Sequence, residues 1–313
     1  MFDLTNPIFS DDDKAREHLE SIMWPDGPYC PHCGEAEKIT KLKGKSHRPG
    51  LHQCNSCHGH FTVTVGTVLE RSKIPLRKWV LGFHLMSASK KGISAHQLHR
   101  MLGITYKSAW FMAHRIREAL KPAADASPLG GPGKIVEIDE TYIGGKEKNK
   151  HRSRRHSGVG GVGKAIVHTL VERGGPVRSR RVANVNSKTL RPILVSQVSR
   201  KSTLMTDDGG QNRVLGREFA RHESVNHSIE EYVRGDAHVN TAENYFSILK
   251  RGIVGVYHHV SEAHLHRYTT EFDFRYSHRS GLGYDDSART LAALKGIAGK
   301  RLTYRRPREA RYV

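Results

Sequence analysis

The 313-residue chain contains no run of about eighteen apolar residues, so no segment reads as a membrane-spanning helix. Its first stretch, MFDLTNPIFSDDDKAREHLE, is acidic and lacks the basic and apolar regions of a signal peptide. A cytoplasmic, nucleoid-associated protein with no membrane partner is expected. Cysteine is scarce: four residues are too few for a dense disulfide scaffold, and a reducing compartment would keep them as thiols. Acidic residues are also short, with 31 Asp and Glu against 51 Lys and Arg, a formal net charge of +20. So basic a chain calls for a polyanionic partner, nucleic acid before anionic membrane. The positive charge is spread along the whole chain, which favours several folded contact surfaces over one disordered arm. Long internal repeats and extended low-complexity segments are absent as well.

All four cysteines fall in one pattern, Cys30-x2-Cys33, twenty residues, then Cys54-x2-Cys57. Each Cys-x2-Cys turn offers two thiolates to one edge of a tetrahedron, and two such turns close a zinc site. With no open position, the Zn2+ there would be structural. His32, His52, His58 and His60 lie close by, but no fifth ligand is needed. A redox pair and two disulfides are the competing readings. Ahead of the first pair, residues 10–24 read as a short helix with Asp11, Asp12 and Asp13 at its positive end; after the second, HFTVTVGTVLE reads as β-rich.

Residues 75–120 are apolar at helical spacing. PLRKWVLGFHLMSASKKG predicts one helix, ISAHQLHRMLGI a short one capped by Ser94 and ended by Gly103, and TYKSAWFMAHRIREALK a longer one starting at Thr105. Trp110, Ala113, Ile116 and Leu120 form its apolar stripe. A short helix, a glycine turn and a longer helix resemble a helix-turn-helix, with Lys107 and Ser108 at the start of the recognition helix and Arg115 and Arg117 further along. A plain helical connector with a core of aromatics is the alternative.

ADASPLGGPGK reads as an interdomain linker. Beyond it, KIVEIDETYIGG, KAIVHTLVERGG and VRSRRVANV predict three strands in an antiparallel meander, with a basic glycine-rich loop after the first. SKTLRPILVSQVS follows as a helix with Ser187 as its cap candidate, then STLMTDDGG as a strand running into a turn. Residues 240–276 are mostly helical, broken between Gly252 and Gly255. Three strands, a helix, an acid-bearing strand and an acid-bearing helix are the succession of an RNase H-like α/β fold, a mixed sheet with flanking helices. The expected organisation is a zinc ribbon with a short helix at 1–70, a helix-turn-helix-like region at 71–123, a linker at 124–133, an RNase H-like domain at 134–283 and a basic tail at 284–313.

Asp139 lies within the first strand of that domain, and Asp207 ends the LMTD strand. Were the two strands neighbours, these acids would converge at one end of the sheet, with Glu243 arriving from the helix. Lys250 follows Glu243 by seven residues, two helical turns, and so shares its face. Three converging carboxylates are hard oxygen ligands that select Mg2+ or Mn2+, and a cation beside them suits a phosphate. Glu137 and Asp208 compete with Asp139 and Asp207, Glu140 is a third acid on the first strand, and Asn240 or Asn244 could ligate in place of Glu243.

The segments CPHCG, CNSC, FTVTVGTV, KKGISAHQLHRMLGITYKSAW, IDETYIGGKEKNKH, MTDDGG, HVNTAENYFSILKRGIVGVYHHVS and EFDFRY resemble, over about residues 15–280, a family of bacterial insertion-sequence transposases. These are the ISXO2-like DDE transposases, which carry an N-terminal zinc ribbon. The resemblance implies that Asp139, Asp207 and Glu243 are the catalytic acids holding Mg2+ or Mn2+ and that Lys250 is the basic residue accompanying the third acid; Arg251, next to Lys250, is expected to contact DNA. The 35 residues between Asp207 and Glu243 are similar to the family's spacing, while Phe246 and Ser277 stand where Trp and Asn are common. The implied activity is cleavage at the ends of an element and joining of 3′ ends to target DNA, with double-stranded DNA as partner and a homodimer or larger assembly on it. A DNA-binding regulator with an inert RNase H-like domain and a structure-selective nuclease are the rival readings.

Overall fold

The computed structural model describes residues 3–123, 125–145, 147–155, 161–226 and 229–303. It divides into two compact units: Met1–Pro122 together with Tyr284–Val313, and Ala123–Gly283.

In the first unit, α1 (Asp12–Met23) starts at Asp11, whose carboxylate accepts the Asp13 and Lys14 N–H groups. Three short antiparallel strands follow, β1 (Ile39–Lys41), β2 (His52–Cys54) and β3 (His60–Phe61), in the order β1-β2-β3. Cys30, Cys54 and Phe61 form their buried core, with Trp24 edge-on to His52 and Phe61. The β-rich reading of residues 60–70 holds for β3 and for a single antiparallel bridge from Thr67 to Ala298; the rest is mostly turn.

Three helices come next: α2 (Leu76–Ala88), α3 (Ala95–Leu102) and α4 (Tyr106–Ala119). Their ends follow the sequence signals. Ser94 accepts the Gln97 N–H, Thr105 accepts the Ser108 N–H, and Gly103 closes α3 at φ 56°, a conformation glycine adopts without penalty. Gly82 of α2 permits a close approach, because a Cβ there would stand 2.9 Å from the Met112 sulfur of α4.

The expected tail is different. Asp286–Lys295 forms α9, capped by the Asp285 carboxylate accepting the Ala288 N–H at 2.7 Å, and it packs on α2. His84 of α2 meets the Thr290 hydroxyl at 3.0 Å, and Arg289 donates to the Ser87 carbonyl at 3.2 Å. Residues 304–313, the Arg-rich end of the expected basic tail, lie outside the described residues.

The second unit is built on β4 (Ile135–Ile143), β5 (Ala165–Glu172), β6 (Val177–Val182), α5 (Ser187–Gln197), β7 (Thr203–Asp207), α6 (Gly210–Gly216), β8 (Arg221–Val225), α7 (Asn240–Gly252) and α8 (Leu265–Ser277). A π-helical turn, Ile253–Tyr257, follows α7. The sheet order is β6-β5-β4-β7-β8, with β4, β5 and β6 antiparallel and β7 and β8 parallel to β4. This is the RNase H-like arrangement. One core, with Val167, Val171, Tyr245, Leu249 and Phe272, lies under α7 and α8; the other, with Ile138, Leu170, Leu190 and Leu204, lies under α5. The expected linker is part of this unit at Leu129, which is buried and bridges to Val198. The α5 cap is Asn186, which accepts the Thr189 N–H, and Ser187 is the first helical residue.

Asp273 of α8 is half-buried and ties the layer together. It accepts the Ser179 N–H at 2.8 Å, the Ser179 hydroxyl at 2.7 Å and the Tyr245 hydroxyl at 2.6 Å, joining β6, α7 and α8. Burial pushes its carboxyl up to about 6, outweighing the pull of these donors toward the charged form. A folded value above the unfolded one means that the folded state holds the proton more tightly. The contribution to stability is therefore full below about pH 4 and lost as pH rises through about 6, a difference of about 3 kcal/mol. Chemical unfolding between pH 4 and 7 should show this slope, and Asp273→Asn should remove it.

Candidate metal and nucleic-acid sites

The four cysteines converge. Cys30 and Cys54 are buried, Cys33 and Cys57 exposed, all four are free thiols, and their sulfurs lie within 4.8 Å of one another. The Cys30–Cys57 and Cys33–Cys54 sulfurs are each 3.6 Å apart, far beyond a disulfide bond. A tetrahedron of Zn–S bonds of about 2.3 Å has edges of about 3.8 Å, so the site fits zinc. Backbone N–H groups of Cys57 and Ser56 pull the Cys54 thiol down to about 7, while the neighbouring thiols push Cys33 up to about 12, so the crowded sulfurs do not all ionise without a cation between them.

The parallel register pairs Ile138 with Thr206, which brings Asp139 and Asp207 next in line on adjacent strands. Glu243 sits in the first turn of α7, on an exposed stripe with Asn240, Ser247 and Lys250, opposite the buried Ala242, Tyr245, Phe246 and Leu249. Burial pushes the Asp139 carboxyl up to about 7 against the Glu140 N–H that it accepts, and the charges of Glu140, Asp207 and Glu243 push the same way. The three acids from β4, β7 and α7 therefore share one electrostatic neighbourhood. They are not gathered as tightly as the thiols, which form the one group of three or more Cys, His, Asp or Glu donors within 4.8 Å among the described residues.

The competing acids have other partners. Glu137 is fully buried and accepts the Thr241 N–H at 2.8 Å, the Ala242 N–H at 3.0 Å, the Thr241 hydroxyl at 2.9 Å and the Arg173 Nε–H at 2.5 Å. Asp208 accepts from Arg213 at 2.6 Å and from Asn226 at 3.1 Å. Asp207 accepts the Asn212 amide at 2.6 Å, and Glu140 turns to the other face of the sheet to meet His168 at 2.7 Å. Asn244 is exposed beside Glu243.

The helix-turn-helix candidates separate. Lys107 is exposed at the start of α4; Ser108 is half-buried, its hydroxyl accepting from Thr105 at 2.9 Å within the cap. Arg115 does not face solvent. It is 9% exposed, stacks over the Phe111 ring and donates to the carbonyls of Glu70 at 3.1 Å and Leu302 at 3.2 Å. Its expected DNA contact is therefore corrected: the segment after α9 covers that side of α4. Arg117 is buried too. Arg251 is exposed and donates to the Ser247 carbonyl at 3.1 Å, one helical turn back.

Residues 128–277 match the ISXO2-like transposase domain, and residues 10–60 match the transposase zinc-ribbon domain. An uncharacterized protein in transposable element ISH50 of Halobacterium salinarum is 30% identical over 278 residues, covering 85% of this chain and 91% of the relative. The chain belongs to the ISXO2-like transposase family. A chain of the simian T-cell lymphotropic virus intasome in complex with PP2A regulatory subunit B56 gamma aligns at a TM-score of 0.28 and 14% identity. That alignment covers 57% of this chain and 63% of the other. Within the transposase family reading, the zinc-ribbon match begins in the loop before α1 and ends at the first residue of β3, enclosing all four thiols. The transposase match encloses Asp139, Asp207, Glu243 and Lys250.

No helix among the described residues is long and apolar enough to cross a membrane. Cys30→Ser should reduce bound zinc, measured by atomic absorption, and expose the Trp24–Phe61 core to solvent, seen as a red shift of tryptophan emission. Retention of one zinc per chain with unchanged emission would contradict a structural role.

Proposed function

We propose that the chain is a DDE transposase that binds the ends of an insertion sequence, cuts DNA there and joins the 3′ ends to a target. The reading is carried by the parallel register that sets Asp139 of β4 beside Asp207 of β7, with Glu243 of α7 in the same neighbourhood; burial and the charges of Glu140, Asp207 and Glu243 raise the Asp139 carboxyl. Asp139, Asp207 and Glu243 would hold Mg2+ or Mn2+, and carboxylate oxygens with an exposed helix face suit hard cations. When bound, two such cations supply charge stabilisation for the attacking and leaving oxygens of an in-line displacement at phosphorus. Lys250, exposed on the stripe of Glu243, contacts substrate phosphate, and Arg251 extends that positive edge.

The zinc ribbon, held by Zn2+ on Cys30, Cys33, Cys54 and Cys57, and the α3–α4 pair recognise the element's ends. Lys107, exposed at the start of α4, and Ser108 face the duplex there. Pairing two ends on one target calls for a homodimer or larger assembly on double-stranded DNA. The work is done in the cytoplasm, at the nucleoid.

Asp139→Asn should lower Mg2+-dependent strand cleavage at least a thousandfold while DNA affinity, read by gel shift, changes less than threefold. Unaltered cleavage would reject the site. Binding without cutting by the unmodified chain would favour a regulator. Cutting without joining of a supplied pre-cut 3′ end would favour a nuclease.

A further inference from the structure

The helix that carries Glu243 has no cap of its own. Its N-cap residue is Val239, which has no side-chain acceptor, and the orphan N–H groups of the first turn are met from elsewhere. The Asn240 N–H reaches His238 Nδ1 at 3.4 Å, and the helix's own ladder begins with the Glu243 N–H donating to the Val239 carbonyl at 3.1 Å. The Thr241 and Ala242 N–H groups both go to one oxygen of Glu137, on β4, more than a hundred residues earlier. The other oxygen accepts the Thr241 hydroxyl and Arg173 Nε. The Arg173 guanidinium continues outward, donating to the Asp236 carbonyl at 2.9 Å, the His238 carbonyl at 2.8 Å and His238 Nδ1 at 3.0 Å. His238 Nδ1 is the acceptor for both Arg173 and Asn240, so its 3.3 Å approach to Glu137 is a contact of acceptors.

Glu137 lies two residues before Asp139 on the same face of β4, and the two N–H groups that it accepts lie immediately before Glu243 on α7. A buried carboxylate with four donors has one position, and a carboxylate at a helix N-terminus is stabilised by the helix dipole. We propose that Glu137, locked by Arg173, is a positioning residue for the metal site. It caps α7 from the strand of the first acid and thereby fixes Glu243 relative to Asp139. Glu137 holds no metal itself, since its oxygens are committed. The inference rests on the proposed function only in taking Asp139 and Glu243 as metal-binding.

The test uses the full chain. Glu137→Gln keeps the shape but turns an amide N–H toward donors and removes the charge facing Arg173 and the helix. Mn2+ binding by isothermal titration calorimetry should weaken about tenfold, and the metal concentration for half-maximal cleavage should rise with it while saturating metal restores the rate. In metal-free protein, amide exchange at Thr241 and Ala242 should accelerate about tenfold with little change elsewhere in α7. Arg173→Lys, which keeps the charge but loses the fork, should move all three readouts in the same direction, and it remains available should Glu137→Gln fail to fold. The double variant should be no worse than Glu137→Gln alone, because both act through one clamp. Unchanged exchange at Thr241 and Ala242, or unchanged Mn2+ affinity, would overturn the proposal. So would a loss of Mn2+ affinity in Glu137→Gln that Arg173→Lys does not share, since that pattern belongs to a ligand. Failure of the unmodified chain to cut DNA would sink the transposase reading alone, leaving the exchange and Mn2+ results to decide the clamp.

Discussion

β4 is hydrogen-bonded on both sides, antiparallel to β5 and parallel to β7, and its register is therefore fixed from two directions. Its side chains alternate: Val136, Ile138 and Glu140 face α5, while Glu137, Asp139 and Thr141 face α7. A slip of one residue would bury Glu140 against α7 and turn Glu137 and Asp139 into the α5 core. The placement of the acids thus depends on a backbone ladder before it depends on any of their own contacts. Strand pairing brings Asp207 alongside, and the face chosen for Asp139 decides which helix can bring a third acid.

Three buried or half-buried carboxylates in the same unit meet three different fates. Glu137 is matched by a guanidinium, two amides and a hydroxyl. Asp273 is matched by two hydroxyls and one amide, with no cation among those donors, and its carboxyl rises. Asp139 accepts one amide N–H and faces other acids, and its carboxyl rises further, to about 7. The first two are cross-links between elements. The third is a charge poorly provided for by its own fold, as expected at a functional site.

Helix ends were legible because their signals are local: Asp11, Ser94, Thr105 and Gly103 act within four residues. The cysteine spacing was legible for the same reason, and so was the placing of Asp207 at the end of its strand. Sequence alone could not separate Glu137 from Asp139, because the partners that occupy Glu137 lie 36 and 104 residues away. Arg115 was misplaced for a similar reason: it donates to a carbonyl 187 residues on, at Leu302, which no helical periodicity reveals. β8 was missed because RHESV is polar at four of five positions and lies at the sheet edge, where the hydrophobic alternation fades. α9 was read as tail because its flanks are basic and its buried Thr290, Ala293 and Leu294 find their partners only in the first unit.

The return of the chain after Gly283 to pack α9 on α2 makes the RNase H-like unit an insertion within the N-terminal one. The inserted unit is contiguous in sequence, so it is complete as soon as residue 283 has left the ribosome. The unit that begins first must wait for residues 286–297, since the Val68 N–H bonds to the Ile297 carbonyl and His84 to Thr290. Domains commonly fold from the N-terminus as they are synthesised, and here the unit that begins first is the one completed last. During synthesis the RNase H-like unit can close over its acids while the helical part of the module that would bring them DNA still lacks its last helix.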